Sequence, residues 1–271
     1  MKKTLIALTV AASAAVSGSA MAAWSTGGDF SGDINIGGNI TTEATAWLWN
    51  IGADRGNAVD LKLADAVVSG ANNVWSGIGA ESFPILMGKT KAIYSGVSTG
   101  MAPVITYSGE GFAIRHIADS APEITLAAVA KDDATNTGQF KFKMDLLGLS
   151  NVQWIGDGVT TFDKNVYQVI GDSSKTYGNG WPQNKTYINS MTTEQVRDKI
   201  AAILGSDMIT IPADAVTAGY TGPNAFNRAD AGSLQGAYAS AYVANSGELT
   251  FPKDKTPKSW VSNLKVTVSY N

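Results

Sequence analysis

The stretch GDFSGDINIGGNIT, Gly28 to Thr41, puts Phe30, Gly32, Ile34, Ile36, Gly38 and Ile40 on one parity and only polar residues or glycine on the other. Side chains of a β-strand alternate between its faces, so Phe30 to Ile40 reads as one extended segment about 33 Å long with a single apolar face. The signature returns in LKVTVSYN, Leu264 to Asn271, where Leu264, Val266, Val268 and Tyr270 alternate with Lys265, Thr267 and Ser269. Two such strands, far apart in sequence, must each find a sheet to join.

Upstream of the first segment, Lys2 and Lys3 precede the apolar run Leu5 to Val16 and then Ala20, Met21 and Ala22. Basic residues, a short apolar stretch and small residues in that order are a secretory signal peptide, residues 1–22, cut after Ala22. A transmembrane anchor fits less well, because Thr9, Ser13 and Ser17 interrupt a run already shorter than the roughly 20 residues that span a bilayer. Ser25 to Gly28 then reads as a flexible leader, within an N-terminal extension covering 23–41.

The chain has 271 residues and a formal charge of −3; removing 22 residues that carry two lysines and no acids leaves 249 residues at −5. That length suits one large domain, placed at 42–271. Mild acidity argues against nucleic acid as a partner, since phosphates call for clustered Lys and Arg. Cysteine is absent although the signal directs export, so stability must come from burial and strand pairing. With 29 glycines against 8 prolines, the composition describes short strands joined by turns.

The clearest interior strand has Phe140, Phe142, Met144 and Leu146 alternating with Lys141, Lys143 and Asp145. Others are expected at Trp47 to Ile51, Val59 to Leu63, Pro84 to Met87, Val104 to Tyr107, Phe112 to Ile117, Ile124 to Val129 and Ala237 to Val243. One helix interrupts this all-β pattern. Thr192 and Gln195 form a capping box, Val196, Ile200, Ile203 and Leu204 share a helical face, and Gly205 stops it, which predicts a helix over 193–204. Residues 151 to about 230 read as an elaboration on the β body.

No catalytic pattern is complete. Gly88, Lys89 and Thr90 imitate the end of a phosphate loop, but Phe83 stands where its first glycine belongs. His116 is the sole histidine and cannot build a zinc site without cysteine. A Ser/His/Asp triad would need a nucleophile elbow that the sequence lacks. Asp132 and Asp133 sit in DDATNTG, where a hairpin turn is due and calcium-loop spacing is missing. Asn39 and Asn184 open N-x-T triplets that are incidental in a bacterial-looking export context. No enzymatic activity, metal or cofactor is expected.

Trp154, Tyr167, Tyr177, Trp181 and Tyr187 cluster with Asn179 and Asn184 in the irregular segment. Aromatic faces stack on the C–H faces of sugars while amides bond the hydroxyls, so Trp181, Tyr177, Asn179, Asn184, Tyr187 and Trp154 are the candidate glycan contacts. Trp181 leads, because Asn179-Gly180-Trp181-Pro182 would present its indole on a turn. The opposing reading makes these rings the glue between elaboration and body.

An aromatic one residue before the carboxylate, on a strand with alternating apolar residues, is what a periplasmic chaperone reads when it adds a strand to a pilin. The opposing reading is an ordinary final strand. The chain resembles the FaeG family of fimbrial major subunits in MKKTLIAL, GDFSGDINIGGNIT, WLW at Trp47 to Trp49, PILMGKTK at Pro84 to Lys91, and the stretch from Trp260 to Tyr270. It departs in ending Tyr270, Asn271 instead of two aromatics, and the likeness is slight between about 110 and 245. The resemblance implies an incomplete immunoglobulin-like β-sandwich with an inserted irregular and helical subdomain, completed by a donor strand from a neighbouring subunit. It implies Phe30, Gly32, Ile34, Ile36, Gly38 and Ile40 as that donor strand, and Leu264, Val266, Val268 and Tyr270 as the chaperone-binding strand. The implied partners are identical subunits in a fibre, a periplasmic chaperone, an outer-membrane usher and a host glycoconjugate. The implied destination, by way of the periplasm, is a cell-surface fimbria that adheres through its insertion. The alternative is a shaft subunit with no receptor site of its own.

Overall fold

A computed structural model describes residues 25–26, 30–33, 36–40, 47–53, 59–94, 100–117, 120–154, 165–171, 180–182, 191–211 and 215–270. The signal peptide read at 1–22 lies outside them. In chain order the strands are β1 (Ser25–Thr26), β2 (Phe30–Asp33), β3 (Ile36–Ile40), β4 (Trp47–Ile51), β5 (Val67–Ser69), β6 (Asn72–Ile78), β7 (Phe83–Thr90), β8 (Pro103–Ser108), β9 (Ala113–Ile117), β10 (Ser120–Ala130), β11 (Thr137–Trp154), β12 (Asn165–Val169), β13 (Val216–Thr221), β14 (Ala231–Tyr242), β15 (Gly247–Pro252), β16 (Trp260–Val261) and β17 (Lys265–Tyr270). The helix α1 spans Thr193–Leu204.

Strands β1-β4-β7-β14-β11-β15-β6-β5 form the spine of a large sheet, and β3-β2-β17-β8 form a second sheet. Apart from the parallel β12–β13 pair, the ladders are antiparallel. The two termini therefore meet in one sheet, with β17 paired to β8 on one edge and to β2 on the other.

β11 holds the large sheet together. Its first part pairs with β10 and β15, and its second part, Met144–Trp154, pairs with β14. The expected alternation survives in the first part. From Met144 to Val152 every residue is buried, because both faces are covered. Met144, Leu146 and Val152 face the central core, while Leu147 and Leu149 lie against Val196, Ile200 and Leu204 of α1. The helix has the boundaries its sequence predicts, with both halves of the Thr192/Gln195 capping box formed.

Across the large sheet, Trp49, Gly88, Tyr238 and Gly148 stand in register on β4, β7, β14 and β11. Large and bare positions alternate along this row. A Cβ added at Gly88 would lie 2.2 Å from the Trp49 ring, and one at Gly148 would lie 2.5 Å from the Trp181 ring. Gly236, two residues before Tyr238, leaves the same kind of space for Phe226. Trp47, Trp49, Trp181 and Phe226 cluster over this floor, Trp47 stacked on Trp49 with centroids 5.2 Å apart and meeting Trp181 and Phe226 edge-on. The β8 and β17 side chains Ile105, Tyr107, Val266 and Val268 belong to the same core.

Three expectations are corrected. Val59 to Leu63 is not a paired strand: Val59 and Leu61 are half-buried and Leu63 opens a short 3-10 turn, so the alternation is there but no strand among the described residues pairs with it. Phe30 to Ile40 is not one strand but two, with β3 folded back on β2. Folding back gives β2 a backbone partner on each edge, β17 and β3, which a single chain cannot supply to a straight extension. Ser25–Thr26, read as part of a flexible leader, pairs with Leu48 and Trp49.

Gly88→Ala and Gly148→Ala are each expected to destabilise the fold by about 1 to 3 kcal/mol through forced displacement of a buried indole. Gly222, whose nearest neighbouring atom to an added Cβ is 3.9 Å away, should tolerate alanine. Thermal unfolding of the three variants checks this.

Candidate assembly groove and the predicted receptor residues

β17 presents its alternation as the sequence requires. Leu264, Val266 and Val268 are buried in the core and Lys265 is exposed. Tyr270 is half-buried, and its hydroxyl accepts a hydrogen bond from Trp49 Nε1 at 2.5 Å. The four residues predicted for the chaperone-binding strand therefore lie together along one face of the second sheet.

A cavity of about 710 Å³ opens beside the start of this strand. Val59, Leu61 and Leu63, Thr256 to Ser262 and Leu264 are among its lining, with Phe140, Phe142 and Trp75 as aromatic walls and Asp60, Glu81, Lys131 and Lys258 as charged ones. The alternating segment at 59–63 thus borders this cavity. β2 runs toward that space: Phe30 pairs with Val268, Gly32 with Val266 and Asp33 with Lys265. Ile36, Gly38 and Ile40 are in β3 instead, and Ile34 lies outside the described residues.

The wall between the sheets is tied by a buried hydroxyl cluster that periodicity does not reveal. Tyr238 donates to the Gly180 carbonyl at 2.8 Å, and Tyr107 donates to Ser240 Oγ at 2.7 Å while lying 2.8 Å from the Tyr238 oxygen. Burial pushes both hydroxyls well above the usual tyrosine range, so they act as neutral hydrogen-bonding groups. The only advance signal was the presence of Tyr107 and Tyr238 within expected strands.

The leading glycan contact is corrected. Trp181 is completely buried. Its Nε1 donates to the Pro103 carbonyl at 3.1 Å, and its ring meets Tyr238 edge-on at 5.0 Å. Gly180, at φ +72°, tucks this turn inward against Ile105. An indole enclosed in this way has no face for a sugar; it packs on the β body beside Pro103, Ile105 and Tyr238. Trp154 is half-buried, donates to the Tyr167 hydroxyl at 3.3 Å, and carries the Arg228 guanidinium 4.2 Å above its ring. Tyr177, Asn179, Asn184 and Tyr187 lie outside the described residues. Among the described residues, no cluster of His, Asp and Glu could hold a metal ion, and no helix is long and apolar enough to cross a membrane.

The chain matches along residues 1–271 the model of a family described as fimbrial, major and minor subunit. It is 30% identical to the K88 fimbrial protein AD of Escherichia coli over the whole of both chains. It is 26% identical to the K88 minor fimbrial subunit FaeI of the same species, over 93% of this chain and 94% of that protein. To the F41 fimbrial protein of Escherichia coli it is 38% identical, over 66% of this chain and 64% of that one. The similarity therefore extends through the middle of the chain, where the motifs alone carried little.

Trp181→Ala is expected to cost about 3 to 5 kcal/mol of stability, as for other large-to-small changes at buried aromatic positions. Chemical denaturation of the purified variant measures it. An unchanged midpoint would return the indole to the surface.

Proposed function

Because this chain belongs to the K88-type family of fimbrial major and minor subunits, we propose that it polymerises by donor-strand exchange. The N-terminal extension of each copy completes the sandwich of the next. The single observation that carries this reading is the cavity lined by residues from 59–63 and 256–264, toward which the register of β2 on β17 leads. Continued past Asp33 in the register of β2, an extension sets Ile34 opposite Leu264, Ile36 opposite Ser262, Gly38 opposite Trp260 and Ile40 opposite Lys258. All four of those partners line the cavity. In the fibre the extension of a second copy takes this course, and the edge of β17 held by β2 in the single chain passes to the neighbour. The segment 59–63 then gains the strand partner its alternation calls for. Before assembly, the same edge of β17 receives the strand of a periplasmic chaperone, and an outer-membrane usher receives the complex.

In this reading the inserted segment, about 151–230, also carries the contact with a host glycoconjugate. With Trp181 in the core, the remaining candidates are Tyr177, Asn179, Asn184 and Tyr187, with Trp154 at the border of the insertion. A second reading, a shaft or minor subunit without a receptor site, is favoured by the burial of Trp181 and by the near-complete alignment with the minor subunit FaeI.

Ile36→Asp is expected to abolish fibres. Each isoleucine in a desolvated groove contributes roughly 1.5 to 3 kcal/mol, and a buried unpaired carboxylate costs more than that. Asn35→Asp, on the other parity, should assemble as the unaltered chain does. Electron microscopy of secreted fibres checks the pair, and normal fibres from Ile36→Asp would reject the reading. A glycan array probed with the strand-complemented subunit tests adhesion: binding lost in Tyr187→Ala with stability retained supports the insertion, and an empty array supports the shaft reading.

A further inference from the structure

Among the described residues, six large apolar side chains stand open to solvent: Val216 and Tyr220 on β13, and four more in two other places. Leu63 is 61% exposed, Val67 69% and Val68 62%, all at the edge of the large sheet formed by β5. Ile93 is 51% exposed, just beyond β7. Consecutive strand residues point to opposite faces, so exposure of both Val67 and Val68 means that β5 is covered on neither face. An uncovered apolar edge strand is a surface that proteins normally bury or blunt.

The two places flank the two ends of one short piece of chain. Val68 pairs with Asn73, whose side-chain amide donates to Thr256 Oγ1 at 2.8 Å. Thr256 lines the cavity at the end where a neighbour's extension, in the register given above, would leave it, and Leu63 lines the same cavity. On the subunit that supplies the extension, the body begins at Trp47, which pairs with Thr90, three residues before Ile93. In that register Thr42 lies opposite Thr256. Only residues 43–46 then separate the groove exit of one copy from the first strand of the next, five steps along the chain that reach at most about 17 Å. So short a link holds the Leu63, Val67 and Val68 patch of one body beside the Ile93 corner of the other.

We infer that Leu63, Val67 and Val68 of one subunit dock against Ile93 of the subunit whose extension fills its groove, a second copy of this chain. This makes a contact between bodies in addition to the donor strand. The two patches differ, so the contact is head-to-tail and repeats along a fibre without closing. The inference rests on the donor-strand reading of assembly. The body contact restricts swivelling about the link, which the donor strand alone leaves free.

The cysteine-free chain allows a direct test. Full-length chains carrying Val68→Cys with Ile93→Cys, or Val67→Cys with Ile93→Cys, are assembled into fibres with the chaperone and usher and then oxidised. A disulfide needs Cα atoms within about 7 Å. The expected result is a heat-resistant ladder on denaturing gels that collapses on reduction, from at least one pair, with none from either single substitution or from Val216→Cys with Ile93→Cys. A third pair, Ile34→Cys with Leu264→Cys, reports the donor strand alone. A ladder from this third pair with none from the other two overturns the body contact and leaves the assembly reading standing. Fibres that give no ladder with any pair overturn both.

Discussion

The row Trp49, Gly88, Tyr238, Gly148 is the constraint on which the packing of this molecule depends. An aromatic ring can lie flat on a sheet only where the strand beneath it has no side chain, and here the bare positions are supplied in register by neighbouring strands. Trp49 settles over Gly88, Trp181 over Gly148, and Phe226 over Gly236. Once the rings lie down, the second sheet can approach closely enough for the Tyr107 hydroxyl to reach Ser240 and Tyr238. Without cysteine, this interlocking of rings and backbone does the work that a covalent crosslink does in many exported domains.

The same row decides how the chain between β12 and β13 packs on the sheet. Trp181 comes from that segment yet has its indole N–H bonded to Pro103 of β8 and its ring over β11. Gly180 accepts the Tyr238 hydroxyl hydrogen bond. On the opposite face of the large sheet, α1 closes over Leu147 and Leu149, and Lys89 reaches Asp207 at 2.7 Å just beyond the helix. Residues between β12 and β13 therefore pack on the central strands from both sides. β11 from Met144 to Val152 is buried throughout, like the strands of a sheet with helices on both faces.

Much of this was legible in the sequence because it is local. The Thr192 box, the helical face and Gly205 determine α1 to the residue, and the parity of Leu264, Val266 and Val268 determines which side of β17 is inside. What could not be read depends on partners distant in sequence. β6 escaped notice because Gly77, at φ +72°, inserts a bulge that shifts its buried parity from Trp75 to Ile78. Trp181 looked like a surface ring because Asn-Gly-Trp-Pro is a turn motif, and nothing local says that a turn points inward. Its true environment is written at Gly148 and Ile105, dozens of residues away. Val59 to Leu63 shows the reverse case: its alternation is real, but among the described residues no strand pairs with it.

The antiparallel run of β2 beside β17 has a mechanical side. A strand pulled along its own length keeps all its ladder bonds loaded at once, whereas one peeled from its end gives them up singly. β17 is bonded along both edges, to β8 through six residue pairs from Lys265 to Tyr270 and to β2 through four from Lys265 to Val268. Tension entering along an extension seated there would be met in shear, shared across two ladders, and passed through Val266 and Val268 into the indole floor beneath. Rupture would then be set by the rate of cooperative opening under load rather than by the equilibrium strength of any one bond, which suits a thread that must hold in flowing liquid.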